Sequence, residues 1–167
     1  SFSGRARRLT EGQDWLHPMY PVGYPLLLWI GRIPGLDLLL AGKLISVVAT
    51  TIGVVMASRW LHPIAGLWLL AQGALLKWGS TEGTDVLAAV LSLGAVMKAE
   101  QGQAKYSGVL LGLGCMVRYT ALGAAPVVLA LLWMQAGPEK RFAQLRDTLK
   151  WSLLCTLPHW IAALILM

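Results

Sequence analysis

The stretch from His17 to Trp29 reads H-P-M-Y-P-V-G-Y-P-L-L-L-W. Its prolines and glycine argue against an uninterrupted helix, because each proline lacks an N–H donor and restricts the residue before it. The apolar run from Leu26 to Trp29 follows without a polar gap. The stretch therefore predicts a rigid segment that leads from a membrane surface into the bilayer. Tyr20, Tyr24 and Trp29 would lie at or near the interface, where amphipathic rings are favoured.

Composition places the whole chain in a membrane. Apolar residues make up 56% of the 167 residues and charged residues 13%, and the mean hydropathy is +0.62. Soluble domains are about 45–50% apolar and about 25% charged. The chain is therefore predicted to be an integral membrane protein. It is long enough for several spans of roughly 20 residues each.

The charge of the chain does not indicate nucleic-acid binding. The net charge is +6, but the basic residues are dispersed among apolar runs and form no stripe with interleaved aromatic residues. Membrane lipid and phosphate groups are the expected partners, and nucleic acid is not. Cys115 and Cys155 both lie in apolar runs, which argues against a disulfide framework.

The alternation of apolar and polar segments predicts an all-α, polytopic transmembrane helix bundle in a single domain over residues 1–167. Residues 1–21 are expected to form an extracytoplasmic loop or an amphipathic helix at the membrane surface, and residues 22–167 to hold about six spans. The predicted spans cover about residues 38–58, 64–78, 86–97, 106–117, 121–135 and 151–167, and residues 137–150 are predicted to be the longest polar loop. The chain begins without Met and stops inside an apolar run, so we expect it to be part of a longer protein.

Orientation follows from the basic residues. The loops at Arg59, at 98–105 and at 140–150 fall on one side in this topology and hold more Lys and Arg than the turns opposite. Basic loops are retained on the cytoplasmic side. The sequence thus predicts a multi-pass protein of the bacterial inner membrane, or of an equivalent internal membrane, with residues 17–24, residues 82–85 and Arg118 on the outer face.

Two polar features on the outer face are candidates for chemistry. Arg118 interrupts a glycine-rich apolar run, and an arginine at membrane depth needs a partner, which is either a ligand phosphate or an acidic side chain. Glu82 and Asp85 could cap the following helix. They could equally act as a base or help to hold a divalent metal, although the sequence assigns no metal-ligand set.

Several segments, in this order, resemble a known superfamily. They are A-R-R-L-T-E-G-Q (6–13), H-P-M-Y-P-V-G-Y-P-L-L-L-W-I-G-R (17–32), L-A-G-K-L-I-S (40–46), T-E-G-T-D-V-L-A-A (81–89) and G-L-G-C-M-V-R-Y-T-A-L (112–122). Together they resemble the N-terminal part of polytopic glycosyltransferases of the protein-O-mannosyltransferase-like (GT-C) superfamily. The resemblance implies transfer of a sugar from a polyprenyl-phosphate donor to an acceptor hydroxyl, with inversion.

The resemblance also implies roles for individual residues. Glu82 and Asp85 would face the cavity that holds the lipid-linked sugar, as candidate catalytic groups. The substrate-binding residues would be His17, Tyr20, Tyr24, Arg118 and Tyr119, with Arg118 on the lipid phosphate. The family places an aspartate before the A-R-R-L element, whereas residues 1–4 here are Ser-Phe-Ser-Gly. Whether this chain is itself an enzyme is therefore left open.

The sequence is also compatible with functions other than glycosyl transfer. The chain could be a non-catalytic transmembrane subunit of a larger complex, such as a respiratory or photosynthetic assembly, that retains a degenerate glycosyltransferase fold. His17, His62 and His159 could ligate a pigment or haem, or simply form hydrogen bonds near span ends. A transporter would need charges along a path through the bundle and an internal repeat. Lys43 is a candidate charge within a predicted span, but no repeat is evident, so this class is less favoured.

Overall fold

The computed structural model describes residues 21–72 and 84–165, and within these ranges the chain is helical and contains no strand. The α-helices are α1 (Gly23–Arg32), α2 (Leu38–Trp60), α3 (Pro63–Ala71), α4 (Asp85–Glu100), α5 (Ala104–Val117), α6 (Ala125–Gln135) and α7 (Arg141–Ile165), with short 3-10 helices at Tyr119–Ala124 and Pro138–Lys140. The all-α class is confirmed. Among the described residues, α2 is the one helix long and apolar enough to cross a membrane.

Helix α5 lies at the centre of the bundle, and its small residues allow neighbouring helices to approach it closely. A Cβ atom at Gly112 would lie 2.6 Å from the Ser152 carbonyl oxygen and 2.8 Å from the Cys155 Cβ, and one at Gly108 would meet the backbone of Thr148. Glycine at these positions lets α5 and α7 approach backbone to backbone. The successive contacts show that the two helices run in parallel.

The other helices pack around α5. Helix α4 packs against α5 on another face and also contacts α2, while α1 lies against α2 and α5. Helices α4 and α5 are joined by a tight turn at Gly102, whose φ of +67° is easily adopted only by glycine. There the Gln103 N–H donates to the Lys98 carbonyl oxygen at 2.8 Å. This turn makes α4 and α5 an antiparallel pair.

Local sequence signals explain where several helices begin. Asp37 caps α2, where its carboxylate accepts a hydrogen bond from the Leu39 N–H at 3.0 Å. His62 caps α3 and is followed by Pro63 in the first turn. Pro25 lies within the first turn of α1, where a missing N–H costs nothing. In the described part of the proline-rich stretch, the helix therefore begins at Gly23 and continues through Pro25, and residues 17–20 lie outside the described residues.

The largest departure from the sequence-based prediction is the start of the last helix. The predicted polar loop over residues 137–150 is wrong, because α7 already begins at Arg141. Thr148 is completely buried, and its hydroxyl donates to the Ala104 carbonyl oxygen at 3.2 Å. The Gln144 side chain, one turn earlier, donates to the Gly102 carbonyl oxygen at 3.5 Å. A polar helical face therefore packs on the N-terminal end of α5.

Several basic residues lie together at one end of the bundle. The Trp60 indole donates a hydrogen bond to the Glu100 carboxylate, which joins the ends of α2 and α4. The Arg141 Nε donates to the Ala136 carbonyl oxygen at 3.3 Å, where α6 leads into α7. The basic residues at this end are Arg59, Lys98, Lys105, Lys140, Arg141, Arg146 and Lys150. Arg118, at the far end of α5, belongs to the opposite end.

Candidate functional site

Arg118 lies where α5 gives way to a 3-10 helix. Its N–H donates to the Gly114 carbonyl oxygen at 2.8 Å, and its own carbonyl oxygen accepts from the Ala121 N–H at 3.1 Å. Its backbone is extended, with φ −158° and ψ 131°. From this junction the guanidinium reaches the carboxylate of Asp85, with which it forms an ion pair. Asp85 is the first residue of α4, so the pair links the adjacent ends of two helices.

The ion pair is open to its surroundings. The exposed fractions of the two side chains are 43% for Arg118 and 61% for Asp85. Exposed pairs of this kind contribute about 0–1 kcal/mol to stability. The position of Asp85 in the first turn of α4 is itself favourable for a carboxylate, because the helix dipole is positive there. Separation of Arg118 from Asp85 would therefore change the stability of the fold only slightly.

An apolar groove of about 580 Å³ begins at Asp85. It lies between α2, α3 and α4, and its polar side chains are those of Thr50, Gln72 and Asp85, whereas the rest of its lining is apolar. Along α4 the lining extends from Asp85 to Leu93, a length of about 12 Å at the helical rise. The ion pair is thus located, through Asp85, at one end of the apolar groove.

A second cluster lies on the α7 side of the same junction. The Tyr119 hydroxyl and the His159 Nε2 form a hydrogen bond of 2.7 Å. The Trp160 ring stacks on Tyr119, with centroids 6.3 Å apart and planes 18° apart. His159 is 2% exposed. These three rings border a cavity of about 160 Å³ between α5, the 3-10 helix and α7.

The structure brings together some of the residues that the sequence analysis singled out. Asp85 and Arg118 are paired, and Tyr119 is next to them but faces α7. Tyr24 is completely buried in the core with Leu28 and does not line either cavity. The remaining candidates, His17, Tyr20 and Glu82, lie outside the described residues.

The site does not offer a set of metal ligands in the part of the chain that is described. Residues 21–72 and 84–165 contain no group of three or more His, Cys, Asp or Glu side chains that could hold a metal ion. The Asp85 carboxylate is engaged by a guanidinium.

The sequence did not indicate Gln72 as a groove residue, and it indicated His159 only as a possible ligand of a pigment or haem or as a hydrogen-bonding side chain. Gln72 lines the groove but is an ordinary amide in an apolar run, and no sequence signal distinguishes it. His159 contacts Tyr119 across 40 positions of sequence. The signal that could have found it is the pair Pro158 and His159 in an otherwise apolar segment.

Comparison with known proteins finds no match, whether to a protein family, a curated protein or a solved structure. What the site can do therefore follows from its own residues. It holds a guanidinium paired with a carboxylate, and that carboxylate lines one end of an apolar groove.

Proposed function

We propose that this chain is a multi-pass membrane glycosyltransferase, or part of one, that takes a sugar from a polyprenyl-phosphate donor. The observation that carries the proposal is the ion pair of Arg118 and Asp85 at the end of an apolar groove. A polyprenyl-phosphate is likewise a long apolar chain that ends in an anion. The order of the sequence segments that resemble the GT-C superfamily points to the same donor.

The groove suits the chain of such a lipid. Its lining is apolar except for Thr50, Gln72 and Asp85, and burial of apolar surface stabilises a bound chain by about 25 cal/mol per Å². A chain lying along α4 from Leu93 towards Asp85 would bring its phosphate to Arg118. The groove therefore determines the direction in which the lipid lies.

Arg118 suits the phosphate. A guanidinium binds phosphate oxygens through two parallel, charge-assisted hydrogen bonds. Binding would displace Asp85 and leave its carboxylate free beside the reacting sugar. The acceptor oxygen would then form its bond to the anomeric carbon as the bond from that carbon to the phosphate oxygen breaks. Asp85 would take the acceptor proton, and Arg118 would stabilise the electron pair that leaves with the phosphate.

The outward faces of the helices support a bundle of about six spans. Helix α2 has 23 residues, so it measures about 34 Å against a hydrocarbon core of about 30 Å. Helix α7 has 25 residues, and its apolar part begins at Trp151, after a first segment that carries four charged side chains. Large apolar side chains are exposed along both helices, among them Leu44, Val48 and Ile52 on α2 and Leu153, Leu157 and Ile161 on α7. In a bilayer these side chains would contact lipid tails. The proposal places the bundle in the bacterial inner membrane or an equivalent internal membrane.

Binding of decaprenyl phosphate to the full chain in lipid nanodiscs tests the proposal. Arg118→Gln is expected to weaken binding by about 10- to 100-fold, because it removes charge-assisted hydrogen bonds worth about 1.5–3 kcal/mol. Arg118→Lys should retain part of the affinity, since the charge remains. Lys43→Gln, which removes an exposed basic group of α2, is the matched control and should bind like the wild type. Equal affinity in all four proteins would contradict the proposal.

The same nanodiscs distinguish the enzyme from a non-catalytic subunit. Sugar transfer from a lipid-linked donor to a hydroxyl acceptor, lost in Arg118→Gln, is expected of the enzyme. Tight lipid binding that depends on Arg118, without transfer by the protein in its native membrane, would instead favour a subunit that holds a lipid within a larger complex.

A further inference from the structure

Three aromatic rings meet beside Arg118, and they come from distant parts of the chain. Tyr119 belongs to the 3-10 helix, whereas His159 and Trp160 belong to α7. His159 contacts Tyr119 through the 2.7 Å hydrogen bond and packs against Trp160 with ring centroids 5.4 Å apart. In the part of the chain that the structure describes, the other imidazole nitrogen of His159, Nδ1, is buried without a hydrogen-bond partner. The bond to Tyr119 is thus the polar contact that orients this buried ring.

Arg118 and Tyr119 are neighbours whose side chains reach in different directions. Arg118 reaches α4 through Asp85, and Tyr119 reaches α7 through His159. The backbone between α5 and the 3-10 helix is extended at Arg118. Tyr119 is the next residue and the first of the 3-10 helix. A planar peptide bond joins the two residues, so a displacement of the Tyr119 backbone would move the Arg118 backbone as well.

Packing alone does not hold Tyr119 in place. The cavity of about 160 Å³ borders its ring, together with Cys115 and Ser152. A volume of this size exceeds the space that a single-ring molecule such as benzene needs. The Tyr119 ring thus has room to swing away if its hydroxyl loses its partner. Besides its stacking on Trp160, the hydrogen bond to His159 is therefore the contact that orients the ring.

We propose that His159 is a positioning residue that acts through Tyr119 to hold Arg118 in the orientation that receives a lipid phosphate. The inference rests on the proposed function and assigns to α7 a part in a site otherwise built from Arg118, after the end of α5, and from the groove between α2, α3 and α4. His159 itself contacts neither the groove nor the phosphate position. Its effect passes from the imidazole to the Tyr119 hydroxyl, and from the Tyr119 backbone to the guanidinium.

A spectroscopic experiment tests the positioning step without any ligand. In full-length protein labelled with ¹⁵N-arginine, the Nε–H resonance of Arg118, assigned by its loss in Arg118→Gln, reports the ion pair with Asp85. Tyr119→Phe, which removes a single hydroxyl and keeps the ring, is expected to shift this resonance towards the position of a free arginine. His159→Leu should do the same, whereas His159→Gln retains a hydrogen-bonding group and should restore the wild-type position. Ser152→Ala, which changes another wall of the same cavity, is the control and should cause no shift.

Decaprenyl phosphate binding supplies the second measurement. Tyr119→Phe and His159→Leu are expected to weaken binding by about fivefold, the effect of one ordinary hydrogen bond, and His159→Gln by less. An unmoved Arg118 resonance in Tyr119→Phe, with Arg118→Gln still impairing binding, overturns the positioning role and spares the proposed function. If the Arg118 resonance shifts in Tyr119→Phe but Arg118→Gln binds the lipid normally, the proposed function is wrong, whereas the effect of His159 on Arg118 through Tyr119 is supported. If His159→Leu fails to fold, Tyr119→Phe alone decides.

Discussion

At the scale of single residues, the proposed function makes Asp85 a competitor of the lipid phosphate for Arg118. Asp85→Asn is expected to tighten decaprenyl phosphate binding several-fold, because the guanidinium no longer has to leave a carboxylate. The free energy of unfolding should change by no more than about 1 kcal/mol, since the pair is exposed. Titration of the lipid into wild-type and variant nanodiscs, with thermal unfolding in parallel, measures both effects. Weaker binding in the variant would show that Asp85 supports the ligand and does not compete with it.

The same residues show what sequence can predict of a site. The apolar surroundings of Arg118 indicated that it needs a partner, and phosphate and an acidic side chain were both open alternatives. Its pairing with Asp85 depends on α4 and α5 forming an antiparallel pair, which is a tertiary property. His159 illustrates the limit more clearly. Nothing local to it indicates Tyr119, because their contact exists only when α7 runs beside α5.

At the scale of helices, the contact between α5 and α7 depends on the absence of side chains at two glycines. Gly112→Ala is expected to lower the free energy of unfolding by about 1–3 kcal/mol, because its Cβ would overlap the Ser152 carbonyl oxygen and the Cys155 Cβ. Thermal unfolding in detergent measures the change. Gly123→Ala is the matched control, because nothing lies within 4 Å of a Cβ there. Equal melting temperatures for the two variants would contradict this account of the packing.

A buried hydroxyl provides the corresponding polar contact between α5 and α4. Ser107 is completely buried, and its Oγ donates to the Ala95 carbonyl oxygen at 2.7 Å. Ser107→Ala should cost about 0.6 kcal/mol, the average for hydrogen bonds between membrane helices. Ser92→Ala is a suitable control, because the Ser92 hydroxyl bonds within its own helix, to the Ala88 carbonyl oxygen. Unfolding in detergent should leave Ser92→Ala the more stable of the two variants.

The start of α7 shows why helix boundaries were harder to predict than helix positions. The charged residues between 140 and 150 suggested a loop, because the packed face of a helix is usually apolar. Here the packed face is made by Gln144 and Thr148, one turn apart, and the charged Arg146 and Lys150 lie on the exposed side. The glycine-rich run of α5, by contrast, indicated close helix contact directly, since small residues at spacings of four have few other uses in a membrane helix.

At the scale of the whole molecule, the all-α class is confirmed within the described residues, whereas the membrane bundle of about six spans stays a prediction. The excess of apolar residues requires extensive helix-helix or helix-lipid contact, and the described residues form a helical bundle. Within them, α2 alone meets the length and hydropathy expected of a spanning helix. Helices α5 and α6 are apolar but shorter. Whether each of them crosses a bilayer depends on the depth and tilt of the whole bundle in the membrane, which the sequence of one helix does not determine.

Immersion can be measured, because the two ends of the bundle differ in charge. The end that holds Lys98, Lys105 and Lys140 is expected to face the cytoplasm, since basic loops resist translocation. Thr120 and Glu139 are both exposed, at opposite ends of the bundle. In intact cells, a membrane-impermeant thiol reagent should therefore label Thr120→Cys. Glu139→Cys should be labelled only after the membrane is permeabilised. Both cysteine variants are made in a chain that is otherwise wild type except that the half-buried Cys155 is replaced by serine.

Labelling of Glu139→Cys alone in intact cells would show the opposite orientation, with the site of Arg118 on the cytoplasmic side. Labelling of both variants would show that these ends do not lie on opposite sides of a membrane.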